Sequence, residues 1–236
     1  LPPGVVNFLP GPGQTVGEYL ARHPEISLIA FTGSRAVGTR LLELRARTSS
    51  GQTQVKRVIA EMGGKNAIII DQDADLDDAI PGTVHSAFGY QGQKCSAASR
   101  VIVVGDLYEA FVERLVEATR SLTIGDPRQP GHFMGPVIDA EAQARIAHTI
   151  EQAQQRVTLV YGNSQALPDE GYYLAPLIFT DIRSDDPLAQ EEIFGPVLAV
   201  LHADSFDQAL EIANSTSYAL TGGVYSRQPS HLQQAR

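Results

Sequence analysis

Two rhythms of apolar and polar positions take turns along the chain, one of period two and one of helical period, and the switches between them mark its elements. Residues 5–8 form a short apolar run and read as a strand. After the turn-forming Pro10-Gly11-Pro12-Gly13, residues 15–22 space their apolar side chains helically and stop at His23-Pro24. Residues 27–31 read as a second strand, 36–47 as a helix carrying Val37, Leu41, Leu42 and Leu44, and 55–60 as a third strand. The apolar run 67–70 has strand length. It precedes a helix expected over 76–90, whose start holds Asp75, Asp77 and Asp78, where the helix dipole favours carboxylates. Further on, 101–104, 157–161, 173–182, 196–201 and 221–226 read as strands, while 107–121, 139–155 and 205–214 read as helices. The most obvious long connection is 125–135. This alternation predicts an α/β fold with largely parallel sheets and right-handed crossovers.

Composition narrows the class of protein. A chain of 236 residues with 43% hydrophobic content can bury the core of one large domain or two smaller ones. Its net charge of −9 opposes capture of nucleic acid or of an anionic membrane surface. No apolar run approaches the roughly 18 residues of a membrane span. The opening LPPGVVNFLPG lacks the basic-then-apolar order of a signal peptide. One cysteine cannot form an internal disulfide, which points to reducing, cytoplasmic surroundings. No cluster of His, Cys and carboxylate residues has ligand spacing, so no metal is expected. Both ends read as interior to something longer, because the first residue is Leu1 and the last six, HLQQAR, only begin a helix.

Three local features can carry chemistry. Phe31-Thr32-Gly33-Ser34-Arg35-Ala36-Val37-Gly38 is a glycine-bearing turn between a strand and a helix, where Gly33 permits close backbone approach and the helix start offers free N–H groups to a phosphate. Its spacing matches neither G-x-G-x-x-G nor a P-loop, so it reads equally as a plain strand-to-helix turn. Glu61, ahead of Gly63-Gly64-Lys65-Asn66, stands at the end of an apolar strand and is a candidate general base; an exposed carboxylate, or one paired with Lys65, is the alternative. Cys95, in Gly92-Gln93-Lys94-Cys95-Ser96-Ala97, is a candidate nucleophile, since thiolates need the least activation. A small buried thiol is the competing reading there, although its polar neighbours disfavour it. Of the chain's three lysines, Lys65 and Lys94 flank these carboxylate and thiol segments.

In order, FTGSRAVG, EMGGKNA, GQKCSA and Glu191-Glu192-Ile193-Phe194-Gly195-Pro196-Val197 resemble the motifs of the aldehyde dehydrogenase superfamily. The resemblance spans nearly the whole chain and implies an aldehyde dehydrogenase-like architecture: residues 1–61 as the later part of a Rossmann-type NAD(P)-binding domain, and 62–236 as most of a thiol-bearing catalytic α/β domain, truncated at its C-terminus. It makes Cys95 the nucleophile and Glu61 the base for thioester hydrolysis. Gly33, Ser34, Gly38, Gly63, Glu192 and Phe194 would contact the cofactor, with Glu192 on the ribose beside the nicotinamide and Phe194 bordering its ring. NAD is the cofactor implied, with NADP open because the residues that meet the adenine ribose are expected before Leu1. The wording LPPGVVNFLPGPG, GQKCSAASR and YYLAPLIFTDI is similar to the branch that oxidises L-glutamate 5-semialdehyde, the 1-pyrroline-5-carboxylate dehydrogenases, in proline breakdown. In that branch Ser96 would bind the substrate carboxylate, and the parent chain would be a homo-oligomer or fused to a proline dehydrogenase.

The family's oxyanion-hole Asn and cofactor-binding lysine are expected upstream of Leu1, and its carboxylate-clamping loop and dimerising hairpin also lie outside this stretch. Two other classes compete. A cysteine hydrolase needs a positioned histidine, and no flanking pattern marks any of the six as that partner. A non-catalytic relative would keep the fold; retention of both Cys95 and Glu61 argues against it.

Overall fold

The structure, a computed structural model, describes residues 1–162 and 167–236. It divides into two compact units, Leu1–Gly63 and Gly64–Arg236.

The first unit contains α1 (Glu18–Arg22), β1 (Leu28–Thr32), α2 (Arg35–Arg45) and β2 (Arg57–Glu61), with β1 and β2 pairing in parallel. Its core is small: Ala21, Leu41 and Leu44, with Ile29, Phe31 and Val58 packed against them. Lys56 is buried yet satisfied, since its Nζ donates to the carbonyls of Ala21 (2.6 Å) and His23 (3.0 Å) at the end of α1. A cation there meets the negative pole of the helix. Residues 5–8 do not form the expected strand. Val6 and Phe8 are exposed and the backbone is bent; an apolar run makes a strand only where a neighbour supplies ladder hydrogen bonds, and none of the described residues does.

The second unit holds β3 (Asn66–Ile70), α3 (Leu76–Phe88), β4 (Ala98–Val104), α4 (Tyr108–Arg120), α5 (Ala140–Gln154), β5 (Thr158–Gly162), β6 (Leu177–Thr180), α6 (Pro187–Gln190), β7 (Val197–Ala203), α7 (Phe206–Ala213), β8 (Gly222–Tyr225) and α8 (Pro229–Gln234). Its six strands run in the order β5-β6-β7-β4-β3-β8, parallel throughout except for the antiparallel β5–β6 pair. Burial on both faces explains the apolar runs 67–70, 101–104 and 197–201 within β3, β4 and β7, as parallel sheets require. On one face Ala67, Ile69, Ile102 and Val104 pack with Ile146, Leu188 and Phe206; on the other Ile68, Ile70, Val101 and Val103 pack with Val84, Phe88, Phe111 and Leu115.

Short polar side chains set the helix starts. Asp75 accepts from Asp77 N at the head of α3, Asp139 from Ala142 N at α5, and Ser205 from Gln208 N at α7. The helix over Pro187–Gln190 was not anticipated, although Asp186 caps it and Pro187 opens it. Helix α3 ends at Phe88, two residues before the sequence pattern suggests, and β6 covers only Leu177–Thr180 of the expected 173–182 strand.

Candidate active site

Parallel pairing brings Thr32 level with Glu61, and Gly33 N donates to the Glu61 carbonyl at 3.0 Å. The glycine-bearing turn and the candidate base therefore share the carboxyl ends of adjacent parallel strands, where ligands gather in open α/β sheets. Glu61, Gly33 and Ser34 are exposed. The Ser34 hydroxyl accepts from Val37 N (3.4 Å) and caps α2, which leaves its own hydrogen free to donate. Gly38 is different. It is buried in α2, where an added Cβ would lie 2.5 Å from the Met62 sulfur, so it serves the packing of α2 beside the base. Gly63 is half-buried at the end of this unit.

The thiol turn of the second unit begins with an unusual backbone. After α3, Tyr90, Gln91 and Gly92 have φ of 52°, 58° and 67°, three successive left-handed residues at a cost of roughly 1–2 kcal/mol for each L-residue. Gly92 has no substitute, because a Cβ there would lie 2.2 Å from the carbonyl oxygen of Gly195. Ala97 N then donates to Lys94 O at 2.9 Å and closes a turn with Cys95 and Ser96 at its centre, both half-buried. Lys94 is exposed, its Nζ 5.9 Å from the centre of the Tyr90 ring.

The segment after α6 meets this turn. Gly64 N donates to Glu192 Oε1 at 3.1 Å, and Arg145 donates to Ile193 O at 2.6 Å. Phe194 sits at φ 54° with its ring partly exposed. A bulky residue in that region is strained, and such strain collects at functional sites. Gly64, Gly92, Lys94, Ala97, Glu192 and Phe194 line one shallow cleft. Ser96 instead lines a cavity of about 330 Å³, together with Asn66, Ser86, Thr221 and Tyr225.

Lys65 points inward and is 3% exposed, and its Nζ has no hydrogen-bond partner among the described residues. Burial pushes its ammonium down to about 7, the nearby Arg100 adds to that effect, and Glu192 and Glu191 partly offset it. Nothing local in the sequence singles out Asn66, although its side chain bonds the thiol turn directly. Among the described residues no group of three His, Cys, Asp or Glu is placed to hold a metal ion, and no helix is long and apolar enough to cross a membrane.

The model of the aldehyde dehydrogenase family matches residues 1–236. The chain belongs to that family. Among curated aldehyde dehydrogenases it is 49% identical to 1-pyrroline-5-carboxylate dehydrogenase of Geobacillus thermodenitrificans and 46% identical to that of Bacillus subtilis, in each case over the whole chain and 46% of the relative. Among solved structures it superposes on proline utilization A of Bdellovibrio bacteriovorus with TM-score 0.97 and 53% identity, over 99% of this chain and 24% of that one. On a Thermus 1-pyrroline-5-carboxylate dehydrogenase with bound NAD it gives TM-score 0.96 and 49% identity, over 100% of this chain and 45% of that one. The chain thus spans about half the length of the curated relatives it matches. The aldehyde dehydrogenase-like α/β architecture expected from the sequence is the one found.

Proposed function

We propose that this chain is the thiol-bearing portion of an NAD(P)-dependent dehydrogenase that oxidises L-glutamate 5-semialdehyde to glutamate in proline breakdown. The observation that carries the reading is the meeting of two segments about a hundred residues apart, where the Gly64–Glu192 hydrogen bond and the Gly92–Gly195 contact put Glu192 and Phe194 on one cleft with the Cys95 turn. The names and cofactor of the similar proteins support the substrate class and the nicotinamide. Residues 1–61 would then serve the cofactor and 62–236 the acyl chemistry. On this reading the protein is cytoplasmic and acts on a small aldehyde, either as a homo-oligomer or fused to a proline dehydrogenase; similarity to a proline utilization protein of which this chain covers 24% supports the fused form.

The residues fit a dinucleotide. Gly33 and Ser34 present an open turn and a helix start at strand ends, suited to a pyrophosphate. Gly38 and Gly63 shape the backbone nearby, while Glu192 offers carboxylate oxygens to ribose hydroxyls and the exposed Phe194 ring offers an apolar edge. Bound NAD(P)+ supplies the hydride acceptor. Cys95 Sγ bonds to the aldehyde carbon as a thiohemiacetal, and once oxidised that carbon is held as a thioester. Glu61 takes a proton from water, the resulting hydroxide adds to the thioester carbon, and the C–S bond breaks to release the Cys95 thiolate and the carboxylic acid, which loses its proton to solvent as it leaves. The Ser96 hydroxyl, on its cavity, donates to the distal carboxylate of the substrate.

The reading is tested by steady-state assays of the full-length protein with L-glutamate 5-semialdehyde and with plain aliphatic aldehydes, each with NAD and with NADP. Preference for the semialdehyde is expected. Cys95→Ala should abolish turnover, and Glu61→Gln should slow hydrolysis so that intact mass reveals a covalent acyl adduct. Full activity in Cys95→Ala, or normal turnover without an adduct in Glu61→Gln, would refute the assigned roles.

A further inference from the structure

Asn66 opens β3 and is 5% exposed, and its carboxamide makes three hydrogen bonds to residues remote in sequence. Nδ2 donates to Cys95 O at 2.7 Å and to Ala97 O at 2.8 Å, while Oδ1 accepts from Thr221 N at 3.1 Å. Two carbonyls face the NH2 group and an N–H faces the oxygen, so only this orientation of the amide satisfies all three partners.

The reason for the clamp lies in the register of the neighbouring strands. Asn66 pairs with Ala98 but Ala67 pairs with Arg100, so β4 carries one extra residue, Ser99, where it leaves the thiol turn. Such a bulge interrupts the ladder. The carbonyls of Cys95 and Ala97 lie just before it, and the side chain of Asn66 takes the place of a backbone donor. The approach is close: a Cβ on Gly64 would lie 2.9 Å from Cys95 O and 2.8 Å from Asn66 Oδ1. Pinning Cys95 O fixes the plane of the Cys95–Ser96 peptide, and with it the rotation that decides where the Cys95 Cβ–Sγ bond can point.

We propose that Asn66 is a positioning residue for Cys95, its carboxamide holding the thiol turn in one orientation and tying it through Thr221 to the head of β8. This deepens the reading of Cys95 as nucleophile and rests on it. Asn66 acts on Cys95 through the carbonyls of Cys95 and Ala97.

The test uses the full-length protein and Asn66→Asp, which preserves shape and the acceptor for Thr221 N but removes both donors. Alkylation of Cys95 by iodoacetamide is followed by peptide mass from pH 6 to pH 9, with thermal melting, kcat and KM for NAD alongside. Alkylation at least tenfold slower at neutral pH or a displaced pH profile is expected, with kcat reduced in step and KM for NAD within twofold of the parent. Should Asn66→Asp fail to fold, Asn66→Ser, whose hydroxyl can donate only one bond, is held to the same criteria. An alkylation rate and pH profile equal to the parent's in a folded variant would overturn the proposal. Cys95→Ala separates the two failures, because undiminished turnover there removes the nucleophile itself, whereas an inactive Cys95→Ala beside an unaffected Asn66→Asp removes only the clamp.

Discussion

Lys65 shows how far a side chain's role can depart from its chemistry in isolation. A cation that is 3% exposed, with no hydrogen-bond partner among the described residues, is a destabilising group that the fold tolerates. Its ammonium is held at about 7 against an ordinary 10.5. Below pH 7 both folded and unfolded chains carry the charge, so the folded state bears the full burial penalty. Between pH 7 and 10.5 the unfolded chain binds the extra proton, so stability rises with pH across that window. Lys65→Met should therefore raise the unfolding free energy at pH 6 by a few kcal/mol, on the scale of about 1.4 kcal/mol per tenfold change in proton affinity, and the gain should shrink to under about 1 kcal/mol by pH 10. Urea denaturation at the two pH values checks this. An equal effect at both would mean that Lys65 has a compensating partner. At this scale the sequence names residue types and says little of their surroundings. Cys95, Glu61, Glu192 and Phe194 stand in short motifs that can be read directly. The contacts of Asn66 with Cys95, Ala97 and Thr221 span 29 to 155 positions and leave no local trace.

Elements are governed by a balance between local pattern and the partner each one finds. Asp75, Asp139 and Ser205 announce their helices because capping is local physics, satisfied within three residues. Asp186-Pro187 carries the same signal for α6, but four residues are too few to show a helical period. The run at 5–8 has strand composition and no strand, since pairing is a property of two segments. Neither the antiparallel setting of β5 nor the bulge at Ser99 can be inferred from β5 or β4 alone. The left-handed Tyr90–Gly92 turn is likewise set by what it meets, and glycine substitutions can separate strain from contact. Gly92 and Gly105 have nearly equal φ, 67° and 66°, but a Cβ at Gly92 would lie 2.2 Å from Gly195 O and one at Gly105 has nothing nearer than 3.9 Å. Gly105→Ala should cost about 1 kcal/mol, the left-handed penalty alone. Gly92→Ala adds a backbone clash and should cost about 2–4 kcal/mol, with loss of thiol reactivity because Gly195 anchors the Phe194 segment. Equal denaturation midpoints for the two variants would show that the Gly92–Gly195 contact yields easily.

On the scale of the whole molecule, stability is distributed unevenly between the two units. The second has six strands covered on both faces and two extensive apolar clusters. The first has two parallel strands and three buried apolar residues, with Phe8, Val55, Leu28 and Ile59 at 92%, 87%, 50% and 56% exposure. Parallel strands are ordinarily buried on both faces, and a pair alone is at best marginally stable in water. Opening the first unit therefore sacrifices little buried area, whereas β4 and β7 become exposed only when the second unit unfolds as a whole. Native-state hydrogen exchange on the 236-residue chain should place the amides of Leu28–Thr32 and Arg57–Glu61 at least 100-fold below those of Ala98–Val104 and Val197–Ala203 in protection. In free energy that ratio is about 2.7 kcal/mol, since each tenfold is about 1.4 kcal/mol. Glu61 and the Gly33-Ser34 turn stand on the first unit and Cys95 on the second. In the full-length protein, binding of NAD should raise protection in β1 and β2 ahead of any change in β4, as a ligand stabilises the unit whose opening would release it. Uniform protection across both units, before or after NAD is added, would show that they open as one body.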